Sequence, residues 1–102
     1  MAVVVLGTIR PLPEHRAEVV AALTEAAPLA HAEDGCQLYA LTEAEDRLVM
    51  IEQWATQEAL DAHNAGPVLA GILPRLKGCL ASAPEVVLLT PHPVGDKGTL
   101  RP

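Results

Sequence analysis

Ala2–Ile9 reads AVVVLGTI, a β-branched run of strand length. Side chains of a strand alternate between two faces, and here both faces are apolar: Val3, Val5 and Ile9 on one, Val4 and Leu6 on the other. A strand with one face in water carries polar residues on that face, so this one belongs inside a sheet, covered on both sides. Glu85–Thr90 (EVVLLT) repeats the pattern near the other end. The chain has 102 residues, the size of one small domain. Such a domain buries only about 60–70% of its unfolded surface. Yet the mean hydropathy is +0.24, and the surplus apolar surface needs a subunit interface or a ligand cavity.

The segments between these strands supply the rest of the plan. Pro13 stands at a first helical position with Glu14 in the first turn. Ala17, Val20, Leu23, Ala27 and Ala30 then recur at helical spacing, opposite Arg16, Glu18 and Glu25. This predicts a helix to about Ala32, kinked or ended near Ala27 by Pro28 and stopped by Gly35. Cys36–Glu43 alternates as a strand, with Cys36, Leu38 and Ala40 on one face and Gln37, Tyr39 and Leu41 on the other. A short polar link, Ala44–Asp46, leads into Arg47–Ala55, which reads as the second half of an antiparallel hairpin. Thr56 is an N-cap for a helix over Gln57–Asn64. Gly66 and Pro67 open another helix, striped by Val68, Ile72, Leu76 and Leu80, widened by Leu69 and Leu73 and bent at Pro74.

The order is βαββαβ, the α+β ferredoxin-like plan, with a four-stranded antiparallel sheet and helices on one face. The other face is apolar, and leaving it in water costs roughly 25 cal/mol per Å². Packing it on the same face of a second copy predicts a two-fold homodimer, a dimeric α/β barrel. Residues 1–90 form the expected domain. Residues 91–102, with three prolines and two glycines, read as an extended tail, disordered or draped over a partner.

Composition excludes several functions. The formal net charge is −6, with 7 Lys and Arg against 13 Asp and Glu. With no basic cluster and with Tyr39 and Trp54 as its aromatic residues, the chain is not expected to bind nucleic acid. No apolar run reaches the ~18–20 residues of a membrane span, and no export signal is visible, so a cytoplasmic location is expected. Cys36 and Cys79 then read as reduced core thiols. No His, Cys, Asp or Glu pair shows metal-ligand spacing, so no metal site is expected. His15, His31 and His92 read as solvated side chains, and the glycines form no phosphate-binding loop.

A set of residues from Glu33 to Ala70 carries a resemblance. Glu33-x-Gly35-Cys36 is followed by Tyr39, then Glu52-x-Trp54, then Ala59-Leu60-x-x-His63 and Pro67. This resembles the antibiotic biosynthesis monooxygenase family, and the first strand and Pro11–Leu23 extend the likeness to about residues 2–90. The resemblance implies a ferredoxin-like subunit that closes a barrel with a second copy, holding a pocket between sheet and helices. It implies a cofactor-independent oxygenase acting with molecular oxygen on a small aromatic, quinol-like or polyketide-derived substrate. Relatives also include a cofactor-free isomerase, and a non-catalytic small-molecule-binding or stress-associated protein of the same fold is the alternative. Asp34 stands where the family often has Pro, Val68 where many small quinol-type members have a second His, and the pocket Asn of several oxygenases has no counterpart. Haem-degrading relatives place a His on the helix after Gly66; Pro67–Leu80 contains none, which excludes that reading.

Within this frame each candidate has a functional and a structural reading. His63 suits a general base that takes the proton of a phenol or quinol, since an unperturbed imidazole titrates near neutrality, at about 6.5; otherwise it ties helix to strand. Glu52 and Trp54, two apart, share a strand face. Glu52 is expensive to bury without a partner, and His63, Tyr39 or Arg10 could serve; paired with His63 it would orient the imidazole. Trp54 offers a flat wall for an aromatic ring, or fills the core of a chain without Phe. Tyr39 places a hydroxyl at a pocket mouth or packs as a ring with a wet tip. Asn64 could donate to a substrate carbonyl, or simply end its helix.

Overall fold

β1 (Val3–Ile9) does lie inside the sheet. It pairs antiparallel with β3 (Leu48–Trp54) on one side and β4 (Glu85–Leu89) on the other, and β2 (Cys36–Glu43) pairs antiparallel with β3. The structure, a computed structural model, describes residues 2–98 and 100. The strand order is β2-β3-β1-β4, which with the helical segments is the ferredoxin-like α+β arrangement. The register places Glu52 opposite both Tyr39 and Val5, and Val5 opposite Leu88. One row of side chains therefore crosses the whole sheet at the level of Glu52.

A 3-10 turn, Pro13–His15, leads into α1 (Arg16–His31), and α2 (Gln57–Asn64) and α3 (Pro67–Leu76) follow β3. Thr56 caps α2 as expected, its Oγ1 accepting from the Ala59 amide at 3.1 Å. The helices share a core with the sheet face that carries Val5, Ile9, Tyr39, Met50 and Trp54.

Three local expectations are corrected. First, α1 runs through Pro28 without a break. Pro28 is exposed and lies in the last turns, so the carbonyl it leaves without a partner faces water and the cost is small. α3 continues past Pro74 but ends at Leu76, so Leu80, expected on its stripe, lies beyond the helix. Second, α1 buries Val19, Ala22, Leu23, Ala26 and Ala30, with Ala17 exposed and Val20 and Ala27 at the margin. Alanine occupies most sides of this helix, so spacing could not single out the buried stripe. Third, a register shift between Cys36 and Leu38 adds one residue to β2. The bulge turns Cys36 onto the same face as Tyr39, where it packs against the core.

β4 is an edge strand, and all five of its residues are exposed, with Val86 63% and Leu88 53% exposed. Residues 91–98 and Leu100 form no helix or strand. Part of the tail borders a crevice with Val4 and Leu89. Of the expected domain and tail, Met1, Thr99, Arg101 and Pro102 fall outside the described residues. No helix among those described is long and apolar enough to cross a membrane.

Gly35 joins α1 to β2 with a φ of +79°, and its carbonyl accepts from the Ala55 amide at 2.7 Å. A Cβ here would stand 2.6 Å from the Cβ of Ala59, a rigid neighbour. Gly35→Ala is expected to lower the unfolding free energy by about 2 kcal/mol, from left-handed strain and overpacking together. Chemical denaturation checks it; a loss below about 0.5 kcal/mol would mean that the loop has another conformation.

Candidate active site

His63 sits near the end of α2 and is 2% exposed. Helical spacing turns it and Leu60 to the same buried side. Its Nδ1 lies 2.6 Å from Oε1 of Glu33. A carboxylate only accepts, so in the neutral imidazole Nδ1 carries the hydrogen and Nε2 keeps its lone pair. Glu33 comes from the loop between α1 and β2. Its Oε2 is 3.7 Å from where a Cβ on Gly66 would stand, beside the N-terminus of α3, where a negative charge is favoured.

Nε2 points toward Glu52, whose Oε1 is 4.0 Å away. That is too long for a hydrogen bond. Oε1 of Glu52 instead accepts from the indole Nε1 of Trp54 at 2.9 Å. Burial, opposed by the indole hydrogen bond and by His63, leaves the Glu52 carboxyl above its ordinary range. The indole of Trp54 lies against the imidazole, with ring centroids 4.5 Å apart and planes inclined at 31°. Tyr39 meets His63 edge to face at 5.6 Å. Burial, with Glu52 and Glu33 adding to it, pushes the Tyr39 phenol above its usual value, so it stays protonated at neutral pH.

His63, Glu52, Tyr39 and Asn64 all line one cavity of about 200 Å³. Its floor is Val5, Ile9 and Met50 from the sheet; Leu60, Ile72 and Leu76 roof it; Leu73, Val86 and Leu88, all exposed, border it toward β4. The polar groups gather at one end of an otherwise apolar hollow, the arrangement that orients a small ligand by one polar group.

The expected residues thus converge, with changes of role. Trp54 is not among the residues lining the cavity. It is fully buried, because it ends β3 where the chain turns into α2, and it backs the imidazole rather than walling the pocket. Glu52 does not orient His63; Glu33 does. Arg10 pairs with Glu85 at 2.6 Å, not with Glu52. His31 is not merely solvated: its Nε2 lies 3.0 Å from the Tyr39 carbonyl oxygen and its ring meets that of Tyr39, because the end of α1 passes over the start of β2. The residue that sequence reasoning missed is Glu33. Its one signal was its place in Glu33-x-Gly35-Cys36, and nothing in that triplet indicates a partner 30 positions away.

The raised carboxyl gives a test. A group whose folded pKa exceeds its unfolded value contributes most below the unfolded value, about 4.3 for Glu. That contribution is lost as pH rises through the folded value. Ionised Glu52 therefore costs stability at neutral and higher pH. Glu52→Gln, which can still accept from Trp54, is expected to be more stable than the parent at pH 8, with the advantage shrinking toward pH 4. Denaturant titrations at both pH values check this; an advantage that grows on acidification would contradict it.

A family model described as antibiotic biosynthesis monooxygenase matches residues 2–72, more than half of the chain and all of the polar end of the cavity. The chain belongs to the antibiotic biosynthesis monooxygenase family. Solved structures agree on the fold of this family member. Rv0793 from Mycobacterium tuberculosis is 28% identical, with a TM-score of 0.87, covering 94% of this chain and 100% of its own. A conserved protein from Methanosarcina mazei Go1 is 24% identical, with a TM-score of 0.82, over 87% of this chain and 91% of its own. PA3566 from Pseudomonas aeruginosa is 23% identical, with a TM-score of 0.79, over 86% and 91%. No curated protein matches the chain in sequence.

Proposed function

We propose that this member of the family is a cofactor-independent monooxygenase acting on a small, single-ring aromatic or quinol-like substrate. The observation that carries the reading is the Glu33–His63 pair aimed into the cavity opposite Glu52. An oxygen about 2.8 Å from both His63 Nε2 and Glu52 Oε1 fits their 4.0 Å separation. A substrate hydroxyl bound there donates its one hydrogen to Nε2 and accepts from the protonated form of the Glu52 carboxyl, which burial favours. Glu33 holds the other imidazole nitrogen and stabilises the imidazolium that forms when the proton transfers. The resulting phenolate or carbanion is electron-rich and reacts with molecular oxygen, and the substrate itself supplies all four electrons: one oxygen atom becomes a carbonyl on the ring carbon, and the other leaves as water with the two hydrogens that carbon loses. A cavity of about 200 Å³ is below the roughly 300–1,000 Å³ of sites for drug-sized ligands, which favours one ring. Tyr39 and Asn64 supply further polar contacts along the wall and rim.

A second reading follows from the same atoms. A base and a raised carboxyl 4.0 Å apart also form an acid–base pair for isomerisation, which needs no oxygen. Oxygen uptake by the purified protein with a panel of single-ring hydroquinones and phenols tests both. Substrate-dependent uptake above the spontaneous rate supports the monooxygenase. Conversion that is equally fast without oxygen supports the isomerase, and binding without conversion by any substrate would leave a small-molecule-binding protein.

The pairing of two copies belongs to the same proposal. The sheet face opposite the helices carries Leu6, Leu38, Ala40, Val49, Ile51 and Val87, and Val87 is 52% exposed. Covering it with a second copy removes this apolar surface from water.

A further inference from the structure

We propose that His15, Glu18 and Cys79 form a binding site for a zinc-type divalent cation, apart from the cavity. The sequence alone gave no ligand pattern, because Cys79 lies 61 positions from Glu18. The fold brings them together. Oε1 of Glu18 is 3.5 Å from Nδ1 of His15, and Oε2 is 4.0 Å from Sγ of Cys79. All three ligand atoms fall within 4.8 Å of one another. Ligand atoms around a tetrahedral zinc, at about 2.0–2.3 Å from the metal, stand roughly 3.3–3.6 Å apart. Separations of up to 4.8 Å close by as much as about 1.5 Å to reach that geometry, through rotation of the His15 and Cys79 side chains together with Glu18, whose side chain is 66% exposed.

The separate observation that asks for a ligand is His15 Nδ1. It is buried from solvent and has no hydrogen-bond partner, since Glu18 at 3.5 Å is within charge-pair range but makes no hydrogen bond to it. A buried polar atom left unsatisfied is costly, and although the imidazole as a whole is 35% exposed, a metal bond to the Nδ1 lone pair removes that cost. The frame is already built. The Leu12 amide donates to the Cys79 carbonyl at 2.8 Å, and the Ala81 amide to the Arg10 carbonyl at 2.7 Å. Pro11 and Leu80 bridge the same two segments. The carbonyl oxygens of Arg75 and Lys77 lie 3.6 and 3.8 Å from Sγ, at the negative end of α3, which favours a cation. The nearby Arg75 guanidinium is engaged by Glu25 at 3.0 Å.

Imidazole, thiolate and carboxylate together select a borderline metal such as Zn²⁺ over Mg²⁺ or Ca²⁺, which take oxygen ligands. Three protein ligands leave a fourth position for water. Binding displaces the Cys79 thiol proton, so affinity rises with pH. The cation would clip the start of α1 to the loop after α3.

Cobalt(II) titration of chelator-treated, tag-free protein tests the site. The expected result is a thiolate-to-cobalt charge-transfer band with intense visible bands of four-coordinate geometry. Both are displaced by Zn²⁺, lost in Cys79→Ser and kept in Cys36→Ser. Absence of the thiolate band, or its survival in Cys79→Ser, overturns the proposal. Should Cys79→Ser not fold, His15→Gln and Glu18→Gln decide. Each is expected to weaken Zn²⁺ binding by at least about tenfold, measured by competition with a chelating dye; unchanged affinity in both overturns the site.

Discussion

Trp54→Ala is expected to lower the unfolding free energy by about 4 kcal/mol. The indole is fully buried, and removing such a ring costs about 3–5 kcal/mol in lost transfer energy and residual cavity. It also takes the Nε1 donor from Glu52 Oε1 and the packed face from the His63 ring. Trp54→Phe keeps a ring but not the donor, and should lose about 1–3 kcal/mol. Against a total of about 5–15 kcal/mol for a small domain, the alanine variant stands near the limit of folding. Denaturant titration followed by far-ultraviolet circular dichroism, at one fixed protein concentration, measures both. A loss under about 2 kcal/mol for the alanine variant would mean that the ring is not packed between β3 and α2 as described.

His63→Ala is expected to lower kcat/KM for the best substrate of the panel by about 10²–10⁴, the usual contribution of a positioned general base. Added imidazole should restore part of the rate in the alanine variant, which a purely structural histidine would not allow. Glu33→Gln keeps the shape of the positioning group but not its charge. It should retain more activity than His63→Ala, with the loss falling mainly on kcat. Circular dichroism and melting curves separate these effects from unfolding. Activity within tenfold of the parent in a folded His63→Ala variant removes the imidazole from the mechanism, whatever Glu33 does.

The two predictions rest on residues of different legibility. Trp54 and Glu52 share a face because they are two apart in a strand, and that could be read directly. Leu60 and His63 share a side of α2 for the equivalent helical reason. Thr56 was readable as a cap because its hydroxyl serves an amide three residues on. Gly35 was readable as a turn because the positive φ it adopts suits a residue without a side chain. The buried stripe of α1 was not readable, since alanines at positions 17, 21, 22, 26, 27 and 30 leave several faces equally apolar. The β2 bulge was not readable either: an added residue in a strand leaves no mark on the alternation until a partner strand supplies the register.

The order of strands and helices, the interior place of β1, and the pairing of Glu52 with Trp54 on one strand face and of Leu60 with His63 on one helix side were determined by the amino-acid sequence alone. Each follows from periodicity, caps and breakers acting over a few residues. Which carboxylate holds His63 and whether Trp54 walls or backs the site were decided by tertiary structure. So was the meeting of Cys79 with His15 and Glu18. Those relations depend on distances across the packed layers between residues as far as 61 positions apart, and no local pattern encodes them.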